Sequence, residues 1–406
     1  METIKNLSSL RFVKITLGLL FALVIFPSNI KAISILVFGI ATLNLVLRRK
    51  WNFDRKFFFT NALFFIVIAL TFFYSENSDY ASRKLQTMAS LLIFPLVFSL
   101  LTKEEGKAIF KNLNTYLWIY VIGVFLLNVV PFIIFYITKY TFAELIEHYP
   151  TLVRIRMDKY SIHPIYSSMH CSAAILFSFY IFKKIKSKWI ITALIFIVIT
   201  LVAFLLLYAK KGPLIALIVV FSLFILFQYK KGYLKLYLLA VGTLIALTVL
   251  IPKTRERFVE LLNIETLSEG EFTSTNIRYT IYVTSKKLIS NAPFLGYGIG
   301  DYGDVLVEEY KKDNNTHLYT EKYNAHNQYI SMVLIGGIPI LLLFIFMFGM
   351  NMIYAIRFNN QLFILLIVFY SIVMFTENIL EREDGVIFFA FFLNFFALKS
   401  LYAKEE

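Results

Sequence analysis

Long apolar runs, separated by short polar segments, make up most of this chain. A helix needs about 20 predominantly apolar residues to cross a bilayer, and most of the runs are close to that length. Because 59% of the 406 residues are hydrophobic, a soluble domain could not bury them all. We therefore predict an all-α polytopic membrane protein with about twelve transmembrane helices. The runs fall at residues 12–27, 30–47, 57–74, 85–101, 116–138, 164–182, 189–208, 213–228, 233–251, 328–349, 361–376 and 386–402.

Lysine and arginine are concentrated in alternate connections between these runs. Short cytoplasmic loops of membrane proteins carry such an excess. If the N-terminus is cytoplasmic, the basic connections lie inside the cell, and the C-terminus is cytoplasmic as well. No cleavage site follows the first apolar run, which predicts a retained first helix. The predicted inside connections are 48–56, 102–111, 183–188 and 229–233.

This orientation places the polar stretch 252–327 outside the cytoplasm, as one large loop between the ninth and tenth helices. We accordingly divide the chain into a bundle of about nine spans at 1–251, the loop at 252–327, and three spans at 328–406. These parts are predicted to form one integrated domain. Segment 139–163 and the turn around residue 210 are predicted to lie on the same outer side.

The charge distribution counts against two function classes. The net charge of +14 is explained by basic topology signals, so a nucleic-acid partner is not predicted. Charged residues are nearly absent from the middle of the spans, whereas ion-coupled transporters usually place such groups there. The single cysteine, Cys171, cannot form an intrachain disulfide.

His326 lies where the polar sequence AHNQ runs into the tenth apolar stretch. Histidine is the side chain best suited to accept a proton near neutral pH. A second interpretation is that this residue and Asn327 only satisfy free backbone N–H groups at the start of the helix. Position alone does not separate these two interpretations.

Three basic residues on the outer side form candidate phosphate contacts. Arg278 lies in the large loop, on a predicted helix at 276–291 with Asn276 as its N-cap. Lys210 and Lys211 occupy a very short outer turn, where positive charge runs against the topology bias. Phosphate is the natural partner of such groups, although a lysine can also extend to lipid headgroups.

Segment 148–170 adds Arg154, Arg156, His163, Tyr166 and Ser167, and it ends at His170. On a helix that begins near His163, four of these side chains share one face: His163, Tyr166, Ser167 and His170. The two histidines are seven residues apart, or roughly 10 Å along a helix, which is too far for a shared metal ion. No metal site is predicted.

Glu377, Glu381 and Arg382 lie at the outer end of the eleventh apolar run. Paired carboxylates occur in glycosidases, but a salt-bridged helix end is the simpler interpretation. A role in orienting the substrate or a catalytic side chain stays open. The nearby sequence GIGDYG at 298–303 matches a dinucleotide-binding pattern, but without a preceding strand it predicts a glycine-rich turn.

The order of these motifs resembles the O-antigen ligase and O-antigen polymerase superfamily of bacterial envelope glycosyltransferases. The resemblance rests on the basic turn after the seventh helix, Arg278, PFLGYGIGDY at 293–302, AHNQYISMVLIGGIPILL at 325–342 and ENILERE at 377–383. It covers the C-terminal half well, whereas the N-terminal half matches only in the number of helices.

The resemblance implies transfer of a glycan from undecaprenyl pyrophosphate to an acceptor hydroxyl, with inversion and without a metal or other cofactor. His326 would activate or position the acceptor, Arg278 would hold the pyrophosphate, and Lys210 or Lys211 would stand where the family more often has arginine. The implied location is the bacterial inner membrane, with the site facing the periplasm. The full set of predicted substrate-binding residues is Arg278, Lys210, Lys211, Arg154, Arg156, His163, Tyr166, Asn327, Glu377 and Arg382.

Several functions stay open at this point. A ligase would use the lipid A core as acceptor, a polymerase would use another carrier-linked repeat unit, and a third kind of member glycosylates proteins. In a different class, a lipid-linked oligosaccharide flippase or another transporter would also need about twelve spans. A purely structural scaffold gives no reason for the histidine and the cations to occur on one side.

Overall fold

The computed structural model describes residues 2–228, 231–262, 264–267 and 272–402. The predicted inside connection at 229–233 therefore lies partly outside the described residues. Helices account for most of the described chain, in agreement with the predicted all-α class, and no strand occurs within it. The helices before the large loop are α1 (Glu2–Phe21), α2 (Ser28–Val46), α3 (Arg55–Leu70), α4 (Ser78–Met88), α5 (Ser90–Ser99), α6 (Lys103–Phe110), α7 (Leu113–Thr138), α8 (Phe142–Ile155), α9 (Pro164–Phe182), α10 (Lys188–Tyr208), α11 (Lys211–Gln228) and α12 (Lys231–Leu250).

The large loop and the C-terminal part are helical as well. The described part of 252–327 contains four helices, and three more follow up to residue 402. They are α13 (Pro252–Val259), α14 (Ser274–Ser290), α15 (Tyr302–Lys312), α16 (Thr316–Thr320), α17 (Gln328–Arg357), α18 (Gln361–Val373) and α19 (Glu383–Tyr402).

Among the residues that the structure describes, seven segments are helical, long and apolar enough to cross a membrane. They contain α2, α3, α7, α9, α10, α17 and α19, and four further apolar helical segments are only 10–17 residues long. The protein is thus a multi-pass membrane protein, whereas the predicted count of twelve spans is not confirmed. Where the sequence predicts one span at 85–101, the chain forms two short helices, α4 and α5, joined at Ala89.

Helices α9 and α19 form the centre of the bundle. Of their most apolar windows, 83% and 89% of the residues are buried, compared with 28% for α10 at the periphery. Phenylalanines of α19 pack against neighbouring helices; Phe391, for example, meets Phe21 edge to face with ring centroids 5.0 Å apart. Because lipid tails are as apolar as these side chains, close packing rather than water exclusion holds such helices together.

Local sequence signals explain several helix starts. Thr102 with Glu105, and Thr141 with Glu144, form capping boxes at the starts of α6 and α8. The N-cap of α14 is Thr273, whose side chain accepts the backbone N–H of Asn276. The expected N-cap at Asn276 is therefore wrong, because a hydroxyl three residues earlier satisfies the free N–H group.

Candidate functional site

His326 lies in the connection just before α17, in a backbone conformation that non-glycine residues seldom adopt, with φ of 44°. Oδ1 of Asn324 accepts its backbone N–H at 3.2 Å, and Tyr282 donates to its carbonyl at 3.2 Å. The N-cap of α17 is Asn327, whose Oδ1 accepts two backbone N–H groups. The cap thus uses the Asn327 side chain, and the His326 ring is left to point elsewhere.

The His326 ring faces Glu377. Its Nδ1 lies 3.5 Å from Oε2 of that residue, an ion-pair distance at the outer limit of hydrogen bonding. Catalytic hydrogen bonds are often this long before substrate binds. Burial by itself would raise the Glu377 pKa, but the contact with His326 and the charge of Arg278 outweigh burial, so that pKa is lowered. Glu377 is therefore a buried carboxylate that stays ionised.

Lys210 stands in the turn between α10 and α11, after Ala209 in a left-handed conformation. Burial lowers its pKa to about 8, and the charges of Arg257 and Arg278 add to this effect. Among the described residues, its ammonium group has no hydrogen-bond or ion-pair partner. Gly212 permits the close approach of this turn to Glu377, because a Cβ there would lie 2.4 Å from Oγ1 of Thr376.

Lys211 is engaged differently from its neighbour. Its Nζ lies 2.7 Å from Oε2 of Glu260 and 2.6 Å from Oγ1 of Thr275. Arg257 also pairs with Glu260, at 3.1 Å. Lys211 thus ties the start of α11 to the large loop, and its charge is already compensated.

Arg278 projects from the second turn of α14. Its Nη1 makes one long contact, 3.4 Å, to the carbonyl of Ser274, and its Nε is buried without a hydrogen-bond partner. Its charge acts on both Lys210 and Glu377. An arginine with donors unused beside a buried lysine is an arrangement suited to an anion.

His163 is the N-cap of α9, and its Nδ1 accepts the backbone N–H of Ile165 at 3.4 Å. Burial lowers its pKa to about 4, opposed by Glu377 and assisted by Lys210, Arg382 and Arg154. At neutral pH His163 is therefore uncharged. Its Nε2 then carries the proton, so this ring can donate a hydrogen bond but adds no positive charge.

The remaining predicted site residues differ in how closely they approach this centre. Arg154, in the last turn of α8, and Arg382 are exposed, but their charges still act on His163. Tyr166 is buried, and its hydroxyl has no partner among the described residues. Arg156 caps the end of α8 and is exposed; within the described part of the chain no contact links it to His326.

His326, Glu377, Lys210, Arg278 and His163 form what we call the polar cluster. It draws on the large loop, the turn before α11, the start of α9 and the connection after α18. Where the structure describes the chain, no group of three or more His, Cys, Asp or Glu side chains is arranged to hold a metal ion. His170, the other histidine of α9, bonds to the Tyr120 hydroxyl at 2.7 Å instead.

The helix that follows His326 is held in place by direct backbone contacts between two glycine-rich sequences, the turn at 293–302 and the break at Gly336 and Gly337. Helix α17 is broken at Gly336 and Gly337, which frees the carbonyl groups of the preceding turn. The turn at 293–302 satisfies them: Tyr297 N–H donates to the Leu334 carbonyl at 2.8 Å, and the following N–H donates to the next carbonyl at 2.9 Å. The match to a dinucleotide pattern thus marks a glycine-rich turn, as the sequence predicted, and the structure shows that this turn contacts α17.

Sequence reasoning underestimated two residues near the polar cluster. Arg257 acts on Lys210 from α13, and Glu381 is buried among hydrogen-bond donors rather than lying at a helix surface. The signal for Glu381 was present in the sequence, as an acidic residue four positions after Glu377. A sequence does not show which of two nearby carboxylates faces the histidine.

Comparison with known proteins gives one family match. A family model described as O-antigen ligase matches residues 196–345. The matched stretch contains Lys210, Arg278 and His326, and it ends before Glu377. No curated protein matches the sequence. The match supports the superfamily predicted from the order of the motifs: residues 196–345 of this chain are similar to the O-antigen ligase family.

Proposed function

We propose that this protein transfers a glycan from undecaprenyl pyrophosphate to a hydroxyl of the lipid A core, at the periplasmic face of the bacterial inner membrane. The observation that carries the proposal is the polar cluster. It combines the His326–Glu377 pair with two under-used cations, Lys210 and Arg278. The histidine and both cations lie within the stretch that matches the O-antigen ligase family.

The donor pyrophosphate would bind to Lys210 and Arg278. Arginine offers a planar fork to phosphate oxygens, and lysine offers a compact charge. Burial is the main cause of the lowered pKa of Lys210, and repulsion by Arg278 adds to it; a dianionic ligand would relieve that repulsion. Lys211 is the weaker candidate because Glu260 already compensates its charge. Arg154 and Arg382, which are more exposed, would approach the glycan or the acceptor.

The glycosyl transfer would use His326 as the general base. Glu377 beside Nδ1 favours the tautomer with the proton on that atom, which leaves Nε2 to accept the proton of the acceptor hydroxyl. As that proton moves to Nε2, the acceptor oxygen bonds to the anomeric carbon from the side opposite the pyrophosphate. The sugar–phosphate bond breaks, configuration inverts, and the electron pair leaves with the lipid pyrophosphate, whose charge the two cations stabilise.

A polymerase of the same superfamily is the second candidate, since the family match and the polar cluster are compatible with both. The two differ only in the acceptor, which would be another carrier-linked repeat unit. A flippase is the candidate of a different class, and it would not require a base next to a phosphate site.

Complementation of a deletion strain tests the proposal. Lipopolysaccharide from cells carrying no gene, wild type, His326→Asn or Arg278→Ala would be resolved on gels, with membrane levels of each variant measured. A ligase predicts carrier-linked long glycan and undecorated core in the deletion, corrected by wild type alone. Single repeat units on the core in the deletion would identify a polymerase. Normal transfer by His326→Asn would refute the assigned base.

A further inference from the structure

Glu381 is a buried carboxylate, with 1% of its side chain exposed, whose two oxygens accept hydrogen bonds from four separate side chains. Oε2 accepts from Nζ of Lys84 and from Nδ2 of Asn324, each at 3.2 Å. Oε1 accepts from Oγ of Ser331 at 3.0 Å and from Nδ2 of Asn378 at 2.5 Å. A carboxylate has about four acceptor sites, so Glu381 has none left for a substrate.

The two oxygens of Glu381 bond to two asparagines, one linked to His326 and the other next to Glu377 in the chain. On one side, Asn324 bonds to Glu381 through its amide nitrogen, while its amide oxygen accepts the backbone N–H of His326. On the other side, Asn378 follows Glu377 directly in the chain and bonds to the opposite oxygen of Glu381. One carboxylate therefore holds both segments whose side chains must meet.

We propose that Glu381 is a positioning residue that sets the separation of His326 and Glu377; this inference rests on the proposed function. Two features make such a support necessary. The His326 backbone is in a left-handed conformation, which costs a non-glycine residue free energy that its surroundings must offset. The two side chains also belong to separate connections, so no helix fixes their distance. The ammonium group of Lys84 compensates the buried charge.

The same segment provides a matched control in Asp384. This residue forms an ion pair with buried Lys31 and so anchors the start of α19, just after Glu381. Within the described chain it makes no bond to Asn324 or Asn378. Neutralising Asp384 removes an anchoring ion pair while leaving both links to the polar cluster in place.

The experiment compares wild type, Glu381→Gln and Asp384→Asn as full-length protein in nanodiscs. Transfer is measured with undecaprenyl-pyrophosphate-linked O-antigen as donor and lipid A core from the deletion strain as acceptor, and binding of undecaprenyl pyrophosphate is measured separately. We expect Glu381→Gln to lower kcat about 10- to 100-fold, because displacements near 1 Å cost that much. Its donor KM and its binding of undecaprenyl pyrophosphate should change less than about threefold, as should the kcat of Asp384→Asn.

Equal losses of kcat in Glu381→Gln and Asp384→Asn would overturn the inference, since Glu381 would then serve only as an anchor. A raised donor KM with unchanged kcat would overturn it as well. If Glu381→Gln does not accumulate, Asn324→Ala decides, because it cuts only the link to His326 and should show the same selective loss of kcat. Absence of transfer by wild type would count against the proposed function instead.

Discussion

Nδ1 of His326 lies 3.5 Å from Oε2 of Glu377, although helices α17 and α18 separate the two residues along the chain. The pair therefore forms only because the segment that follows α18 lies next to the segment that precedes α17. The backbone N–H of Gln328 donates to the Met374 carbonyl at 2.8 Å, which joins these two connections directly. A base and its orienting group are brought together by helix packing.

Glu377→Gln is the most direct test of the pair. Glutamine keeps the size of the side chain but cannot stabilise a protonated imidazole, so we expect kcat to fall at least about tenfold. Binding of undecaprenyl pyrophosphate should persist, since Lys210 and Arg278 are unchanged. Unaltered turnover by this variant, at wild-type protein levels, would contradict the role of Glu377.

Replacement of His326 should use asparagine rather than alanine. Asparagine tolerates a positive φ, whereas alanine adds backbone strain that would confuse loss of the ring with misfolding. We expect His326→Asn to lose about 10²- to 10⁴-fold in kcat while keeping its thermal stability. A large drop in melting temperature would show that the ring supports the loop instead.

Lys210 and Lys211 are adjacent, but replacing one should mainly lower donor affinity and replacing the other should mainly lower stability. Lys210→Met removes a cation without a partner in the described chain, and we expect affinity for undecaprenyl pyrophosphate to fall about tenfold. Lys211→Met leaves Glu260 without its main partner, so it should lower stability more than donor affinity. Adding Glu260→Gln to Lys211→Met should restore part of that stability. Equal losses of affinity in the two lysine variants would contradict the distinction.

Donor binding should weaken as pH rises from 7 to 9. The lowered pKa of Lys210, about 8, means that its ammonium group is mostly protonated at pH 7 and mostly neutral at pH 9. The protonated fraction falls about tenfold across that range, and binding of undecaprenyl pyrophosphate should follow it. In Lys210→Arg the dependence should disappear, because the guanidinium group stays charged. The same pH profile in wild type and this variant would assign the titration to another group.

Gly337→Ala should disturb the site from a distance. Gly337 has φ of 67°, and a Cβ there would lie 2.0 Å from the carbonyl oxygen of Phe294. The turn at 293–302 would have to move away from α17, at a cost of about 1–3 kcal/mol. Gly349→Ala is the matched control in the same helix, because its Cβ would meet nothing within 4 Å and should be neutral or slightly stabilising. Equal melting temperatures for the two variants would argue against the docking contact.

The sequence was sufficient for the class of fold and for the superfamily. Apolar runs near the length of a membrane span predicted helices that the structure contains, and the order of short motifs predicted a superfamily that the comparison supports. His326, Arg278 and the basic turn were recognised because charged and titratable groups are rare in such a chain. Their chemical roles stay predictions until the variants above are measured.

Relationships between distant residues could not be obtained in this way. Nothing in the pair Lys210 and Lys211 indicates that one meets Glu260 and the other has no partner in the described chain. Likewise, Glu377 and Glu381 are one helical turn apart in spacing, yet one faces His326 and the other is enclosed by donors. Composition and periodicity report which residues prefer lipid, because that preference belongs to each side chain. Which partner each charged side chain contacts depends on how α11, α17 and α19 pack. The glycines at 212, 296 and 337 permit the close approaches that bring the polar cluster together.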